Sequence, residues 1–157
     1  MIKNRYILSI DQGTTSSRAI IFDLNGEILA QKNFEFKQYY PKNGWVEHDP
    51  KEILETTTKA IKHVITESQI NVTDICTAGI TNQRETVIAW DKSNGQPVYN
   101  AIVWQDRRTD EICKDLRNKN LTEDIQNKTG LIIDPYFSAT KIKWIIENVD
   151  EAKKIMS

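Results

Sequence analysis

The chain has 157 residues, 39% of them apolar and 27% charged, with 21 basic against 22 acidic side chains. That is enough for one domain with a real core and too little for two of ordinary size, and the balanced charge excludes a general field for nucleic acid or an anionic membrane. No apolar stretch resembles a signal peptide or approaches a membrane span, so a cytoplasmic location is expected; Cys76 and Cys113 read as reduced packing residues rather than a disulfide or metal pair.

An apolar strand over residues 7–10 leads into Asp11-Gln12-Gly13-Thr14-Thr15-Ser16-Ser17-Arg18, and a second apolar segment follows over 19–22. One connection thus gathers a carboxylate, a glycine, four hydroxyls and a guanidinium, groups that suit a nucleotide's phosphate tail and its metal ion. Gly13 is expected to take a positive φ, so that successive N–H groups converge on an anion. Asp11 stands where it could hold Mg2+ directly or through its waters. The run has no lysine and no amphipathic helix after it, so a P-loop is excluded. An ordinary turn rich in small polar residues has the same composition.

Residues 17–24 and 27–36 are β-rich and joined by Asn25-Gly26, which predicts a type I′ hairpin and hence three antiparallel strands at the start of the fold. Asp49 as cap, Pro50 at the first helical position and Glu52 closing a capping box begin a helix. Its apolar face carries Ile53, Leu54, Ala60, Ile61, Val64 and Ile65. The short apolar run 75–80 predicts a buried strand reached by a right-handed crossover. Thr81-Asn82-Gln83-Arg84-Glu85 follows it, at the carboxyl end of a strand, where open α/β sheets place ligand crevices. Arg84 donates and Glu85 accepts, a pairing that suits a polyol; a solvated loop with a surface ion pair is the competing reading.

Two further strands are expected over 86–90 and 101–104, linked through Ser93-Asn94-Gly95. Trp104 ends the second and offers an apolar wall for a carbon backbone, or plain core packing; Tyr136 sits in a turn after Asp134-Pro135, where its hydroxyl can be aimed. Helices are predicted over 108–117, over 122–128 with a stop at Gly130, and after a Ser138 cap, the last carrying Ile142, Ile145, Ile146 and Val149. Arg107 and Arg108 read as a solvated helix start. His48, one residue before the helix cap, reads as structural or exposed rather than as a general base. The sequence stops directly after the last helix without the closing strand such a sheet would gain, which reads as truncation.

The segments ILSIDQGTTSSRAIIFD, YPKNGWVEHDP, GITNQRETVIAWD, YNAIVWQDRRT and TGLIIDPYFSATKIKWI together resemble the amino-terminal part of the glycerol kinases, within the carbohydrate kinases that share the actin-like, ribonuclease-H-like ATPase fold. The resemblance spans essentially the whole chain. It implies an α/β domain with a mixed sheet, three antiparallel strands first and βα units after, cut before completion. Residues 1–157 would be the amino-terminal part of a first, glycerol- and phosphate-binding domain, with the second domain absent.

By the same resemblance Asp11 is the metal and phosphate carboxylate, Gly13, Thr14, Thr15 and Ser16 form the loop for the nucleotide's phosphates, and Arg18 is the basic residue beside it. Arg84, Glu85 and Tyr136 would hydrogen-bond glycerol and Trp104 would pack along its carbon chain. The implied reaction is in-line transfer of the γ-phosphoryl group of ATP to glycerol, with Mg2+, giving sn-glycerol 3-phosphate and ADP. The family's general-base aspartate falls beyond residue 157, so the chain alone is expected to be inactive, and an open sheet edge is expected to make it marginally stable and prone to associate. The full-length enzyme is expected to be a cytoplasmic homo-oligomer with no nucleic-acid or membrane partner. Two other readings stand beside this one: another carbohydrate kinase of the same family, and a non-catalytic nucleotide-binding or pairing module with the actin-like fold.

Overall fold

The computed structural model describes residues 5–156. They gather into two compact units, one running to Lys37 and resuming over Lys51–Gln83, the other comprising Gln38–Pro50 and the residues from Arg84 onward.

The first unit is built on a sheet of strands β1 (Tyr6–Gln12), β2 (Ser16–Asp23), β3 (Ile28–Glu35) and β5 (Ile75–Thr81), in the order β3-β2-β1-β5. β1, β2 and β3 are antiparallel neighbours, and β5 pairs with β1 in parallel after helix α1 (Pro50–Ser68), giving the mixed α/β sheet expected. One face carries Leu8, Ile10, Ala19, Ile21 and Ala30, and Ala60 and Val64 of α1 close over it. Leu54, expected on that face, is 69% exposed. The first turns of α1 meet the sheet through threonines instead, as described below.

Two local expectations are corrected here. The β2–β3 hairpin is not a type I′ turn, because of Asn25 and Gly26 only Gly26 has a positive φ, +88°. Asp23, Leu24, Asn25 and Gly26 form a turn closed by the Gly26 N–H on the Asp23 carbonyl (3.2 Å), and the Asp23 carboxylate accepts the N–H groups of Asn25 and Glu27 at 2.8 Å each. An aspartate that satisfies the turn's own amides makes the longer loop the better solution. β5 is not buried either: it is a sheet edge among the described residues, and Ile80 is 74% exposed. Cys76 on this strand is exposed, with its Sγ against the Tyr6 carbonyl, rather than a packing residue; Cys113 is buried, and both are free thiols.

The second unit holds a two-stranded ladder of β4 (Glu47–His48) and β6 (Ala101–Ile102), then α2 (Asp110–Asn118), α3 (Thr122–Thr129), α4 (Ser138–Asn148) and α5 (Asp150–Met156). The strand expected over 86–90 is reduced to two isolated bridges, Val87 to Ile102 and Trp90 to Pro97, and the one expected over 101–104 to two residues. The Ser93-Asn94-Gly95 loop does fold back: Asp91 and Gln96 are joined by a 2.8 Å backbone bond, and the Asp91 carboxylate takes the Ser93 N–H. The core here is Ile102, Ile145, Val149 and Ala152, flanked by Val87, Ala89, Val98 and Trp144. α3 ends at Gly130 with φ +73°, the left-handed stop read from the sequence. No helix among the described residues is long and apolar enough to cross a membrane.

Candidate functional site

In the first unit, the connection between β1 and β2 is short. Gln12 still pairs with Ser17 across the strands, and the Gly13 N–H donates to the Ser16 carbonyl at 3.0 Å. Gly13 does not have the positive φ expected of it. Its requirement for glycine is steric: a Cβ there would stand 3.1 Å from the Ser16 carbonyl oxygen. Arg18 Nη2 donates to Asp11 Oδ2 at 2.5 Å, a partly exposed pair on adjacent strands. Thr14, Thr15 and Ser16 complete the loop, and the Phe36 N–H ties the Thr15 carbonyl down at 3.2 Å.

Beneath the loop lies a buried polar network that the sequence did not announce. Ser17, fully buried, donates to Gln12 Oε1 at 3.0 Å and lies 2.8 Å from the Thr56 hydroxyl; Thr57 donates to the same Gln12 oxygen at 2.6 Å. Thr56 and Thr57 in turn bond carbonyls of their own helix at Glu52 and Ile53. The first turns of α1 thus hold the base of the loop through hydrogen bonds to Gln12 Oε1, while the buried Gln12 Nε2 has no partner among the described residues.

In the second unit, Glu85, Trp104 and Tyr136 come together at the start of α4. Glu85 has φ +63°, left-handed backbone that a non-glycine residue adopts only where surroundings enforce it. Its Oε2 accepts the Ser138 N–H at 2.9 Å and the Ser138 hydroxyl at 2.7 Å. Ser138 is therefore not the helix cap expected of it; Phe137 occupies that position, and Glu85 supplies the anion at the helix N-terminus. Among the described residues, no donor reaches Glu85 Oε1 and no partner reaches the Tyr136 hydroxyl, so both polar atoms are available to a ligand. The Tyr136 ring lies edge-on to Trp104 at 5.8 Å and to Phe137 at 5.1 Å, while the backbone N–H of Trp104 donates to Thr86 Oγ1. Arg84 is exposed and has no hydrogen bond or ion pair among the described residues. Glu85, Trp104 and Tyr136 thus bring together a half-used carboxylate, an aromatic wall and a phenol, with the exposed Arg84 next to Glu85 in sequence.

Two further groups of this unit escaped sequence reading. Arg108, read as a solvated helix start, has a fully buried side chain that pairs with Glu47 at 2.7 Å and Asp106 at 2.8 Å, with Trp45 at 3.8 Å and Trp144 at 4.6 Å from the guanidinium carbon. Tyr99 and Asn100 donate to the same Glu47 carboxylate. Burial pushes the Glu47 pKa up, but hydrogen bonds from Asn100, Tyr99 and Arg108 outweigh it and leave Glu47 below its ordinary value. Lys141 is also fully buried, with Nζ donating to the carbonyls of Pro135, Tyr136 and Phe137. Its signal was present, since Lys141, Ile145 and Val149 recur at the spacing of one helix face. Arg108 had none, because its partner Glu47 lies 61 residues away. His48, read as structural or exposed, is buried with Nε2 2.5 Å from Gln38 Oε1. An apolar groove of ≈ 340 Å³ in this unit, between Val87, Trp90, Ile142 and Ile155, is lined by none of Arg84, Glu85, Trp104 and Tyr136.

A mixed sheet of this order with a polar β1–β2 loop defines an actin-like ATPase domain of the sugar-kinase kind, and comparison with known proteins agrees. The model of the FGGY family of carbohydrate kinases, N-terminal domain, matches residues 6–157, and the chain belongs to that family. It is 59% identical over 150 residues to the glycerol kinase of Thermoanaerobacter sp. (strain X514) and 57% identical to glycerol kinase 2 of Thermotoga maritima, in each case over 96% of this chain and 30% of the relative. It superposes on the crystal structure of Plasmodium falciparum glycerol kinase with ADP at a TM-score of 0.88 and 40% identity, again over 96% of this chain and 30% of the other. The gluconate kinase of Lactobacillus acidophilus, at 24% identity and a TM-score of 0.86, shares the fold. The chain thus spans about 30% of the length of the curated relatives it matches.

Proposed function

We propose that this chain forms the glycerol- and phosphate-binding part of an ATP-dependent glycerol kinase that makes sn-glycerol 3-phosphate and ADP in the cytoplasm, as a step of glycerol catabolism. The observation that carries the reading is the grouping of Glu85, Trp104 and Tyr136 at the start of α4, with a carboxylate oxygen and a phenol left for a ligand. Identity of 59% to proteins named glycerol kinase supports it. Trp104 packs along the three-carbon backbone, Glu85 Oε1 accepts a hydroxyl proton, and Arg84 and Tyr136 donate to hydroxyl oxygens.

In the other unit, Gly13, Thr14, Thr15, Ser16 and Arg18 are assigned to the nucleotide's phosphates. The donor set fits: the loop presents hydroxyls, and a Cβ at Gly13 would crowd the Ser16 carbonyl oxygen at 3.1 Å. Asp11 is assigned to Mg2+, an ion usually held by one or two carboxylates together with phosphate oxygens and water. This suits a site where no group of three or more acidic, His or Cys side chains assembles among the described residues. When bound, Mg-ATP supplies the γ-phosphoryl group and offsets its charge. The chain's own residues orient the acceptor alcohol, and none between 5 and 156 is assigned as its general base.

The test is product identification with the gene's full-length product, purified and incubated with Mg-ATP and glycerol, xylulose or gluconate in parallel. The reading expects ³¹P NMR to record sn-glycerol 3-phosphate from glycerol. Phosphorylation of xylulose or gluconate in preference to glycerol overturns the substrate, and no phosphorylation of any polyol in favour of nucleotide binding alone overturns the activity.

A further inference from the structure

Lys141 is fully buried, and its ammonium is spent on backbone. It donates to the carbonyls of Pro135, Tyr136 (2.5 Å) and Phe137 (3.4 Å), the three consecutive residues that lead into α4. From the opposite direction the same turn is held by Asp134 Oδ1 on the Tyr136 N–H at 2.8 Å and by Glu85 on Ser138. Three carbonyls converging on one point repel one another unless a cation or several donors sit between them. The ammonium, with three donors, satisfies all three; a neutral amine has two.

We propose that Lys141 is a positioning residue: by clamping the carbonyls of the 135–137 turn it fixes the direction in which Tyr136 presents its hydroxyl, and deprotonation of Lys141 relaxes that direction. This rests on Tyr136 being a ligand contact, as in the function proposed above. The groups that face Lys141 are Asp106, Glu85, Asp134 and Cys113. Burial lowers its pKa, the nearby Asp106, Glu85 and Asp134 carboxylates pull it back up, and the result is about 8, so the clamp loses its charge within an accessible range. The global fold responds with the opposite sign. Between about 8 and the unperturbed 10.5 the unfolded chain binds more protons at this residue than the folded one, so the Lys141 contribution to stability rises with pH there while the turn loosens.

The experiment measures two things in the full-length protein between pH 7 and 9.5: the KM for glycerol against that for Mg-ATP, and amide hydrogen exchange of the 134–138 segment, corrected for intrinsic rates. The proposal expects the glycerol KM to rise about fivefold with pH while the ATP KM stays flat, matched by faster exchange at Tyr136 and Phe137. Lys141→Met reproduces both changes at pH 7, Lys141→Arg restores the low KM and removes its pH dependence, and Lys141→Met adds nothing further in a Tyr136→Phe background. A flat glycerol KM and additive double substitution overturn the positioning role even if the unsubstituted protein phosphorylates glycerol well. Faster exchange at 134–138 with no glycerol turnover at any pH upholds the clamp and overturns the substrate, and the pH profile of the unsubstituted protein decides the matter if Lys141→Met fails to fold.

Discussion

The fully buried Arg108 side chain is one whose loss this structure tolerates poorly. Its guanidinium neutralises two buried carboxylates, Glu47 and Asp106, and lies against the rings of Trp45 and Trp144. Removing one partner of such a group leaves the others charged and dry, so Arg108→Met is expected to destabilise the protein by ~3–5 kcal/mol, read from the shift of its urea unfolding curve. Replacing Arg107, exposed and paired with Asp110 and Asp134 near solvent, costs less than ~1 kcal/mol in the same measurement. The cluster also sets an acid limit. The folded-state pKa of Glu47 lies below its ordinary 4.5, so its contribution is full above that pH and is lost as pH falls through the lower folded value. Glu47→Gln is expected to flatten the acid side of the stability profile, and an unchanged profile would remove Glu47 from that account. None of this could be read from two adjacent arginines, because what distinguishes them is contributed by Trp45, Glu47, Tyr99 and Trp144, remote in sequence.

At the scale of elements, what was legible is what is local. The three-stranded antiparallel opening, α1 and the Gly130 stop follow from alternation, helical spacing and turn residues within a few positions of one another. What was not legible depended on neighbours. β5 was read as buried from its apolar run, yet burial is decided by what lies beside a strand, and on one side of β5 nothing does among the described residues. The Ser138 cap was displaced because Glu85, fifty-three residues earlier, supplies the anion instead. The loop proposed for the nucleotide's phosphates was singled out by composition, but its geometry differs from the expectation: tightness, not positive φ, favours glycine at Gly13. Gly13→Ala therefore requires the Ser16 carbonyl to give by a few tenths of an ångström. The expected outcome is a Mg-ATP KM raised about tenfold with the glycerol KM unchanged, measured by ADP release; equal rises in both would point to general loss of structure.

For the whole molecule, the governing fact is that the chain spans about 30% of the length of its curated relatives. A phosphoryl transfer that needs acceptor and nucleotide aligned and shielded from water draws on groups from more than one surface. Residues 1–157 expressed alone are expected to give no glycerol-dependent ADP release. The exposed β5 edge with Ile80, together with exposed Trp90 and Ile155, predicts that this fragment self-associates, visible as a mass above the monomer by light scattering. A monodisperse, active fragment would contradict both expectations.

The central claim is that Arg84, Glu85, Trp104 and Tyr136 hold glycerol as the phosphoryl acceptor. It is tested most directly by steady-state kinetics of the gene's full-length product with Arg84→Ala and Glu85→Gln, following ADP release against glycerol and against Mg-ATP. The account predicts that each substitution lowers kcat/KM for glycerol by roughly ten- to a hundredfold, the loss of a hydrogen bond to a charged group, with the KM for Mg-ATP within about twofold of the unsubstituted protein. Glycerol kinetics untouched by either substitution would contradict it.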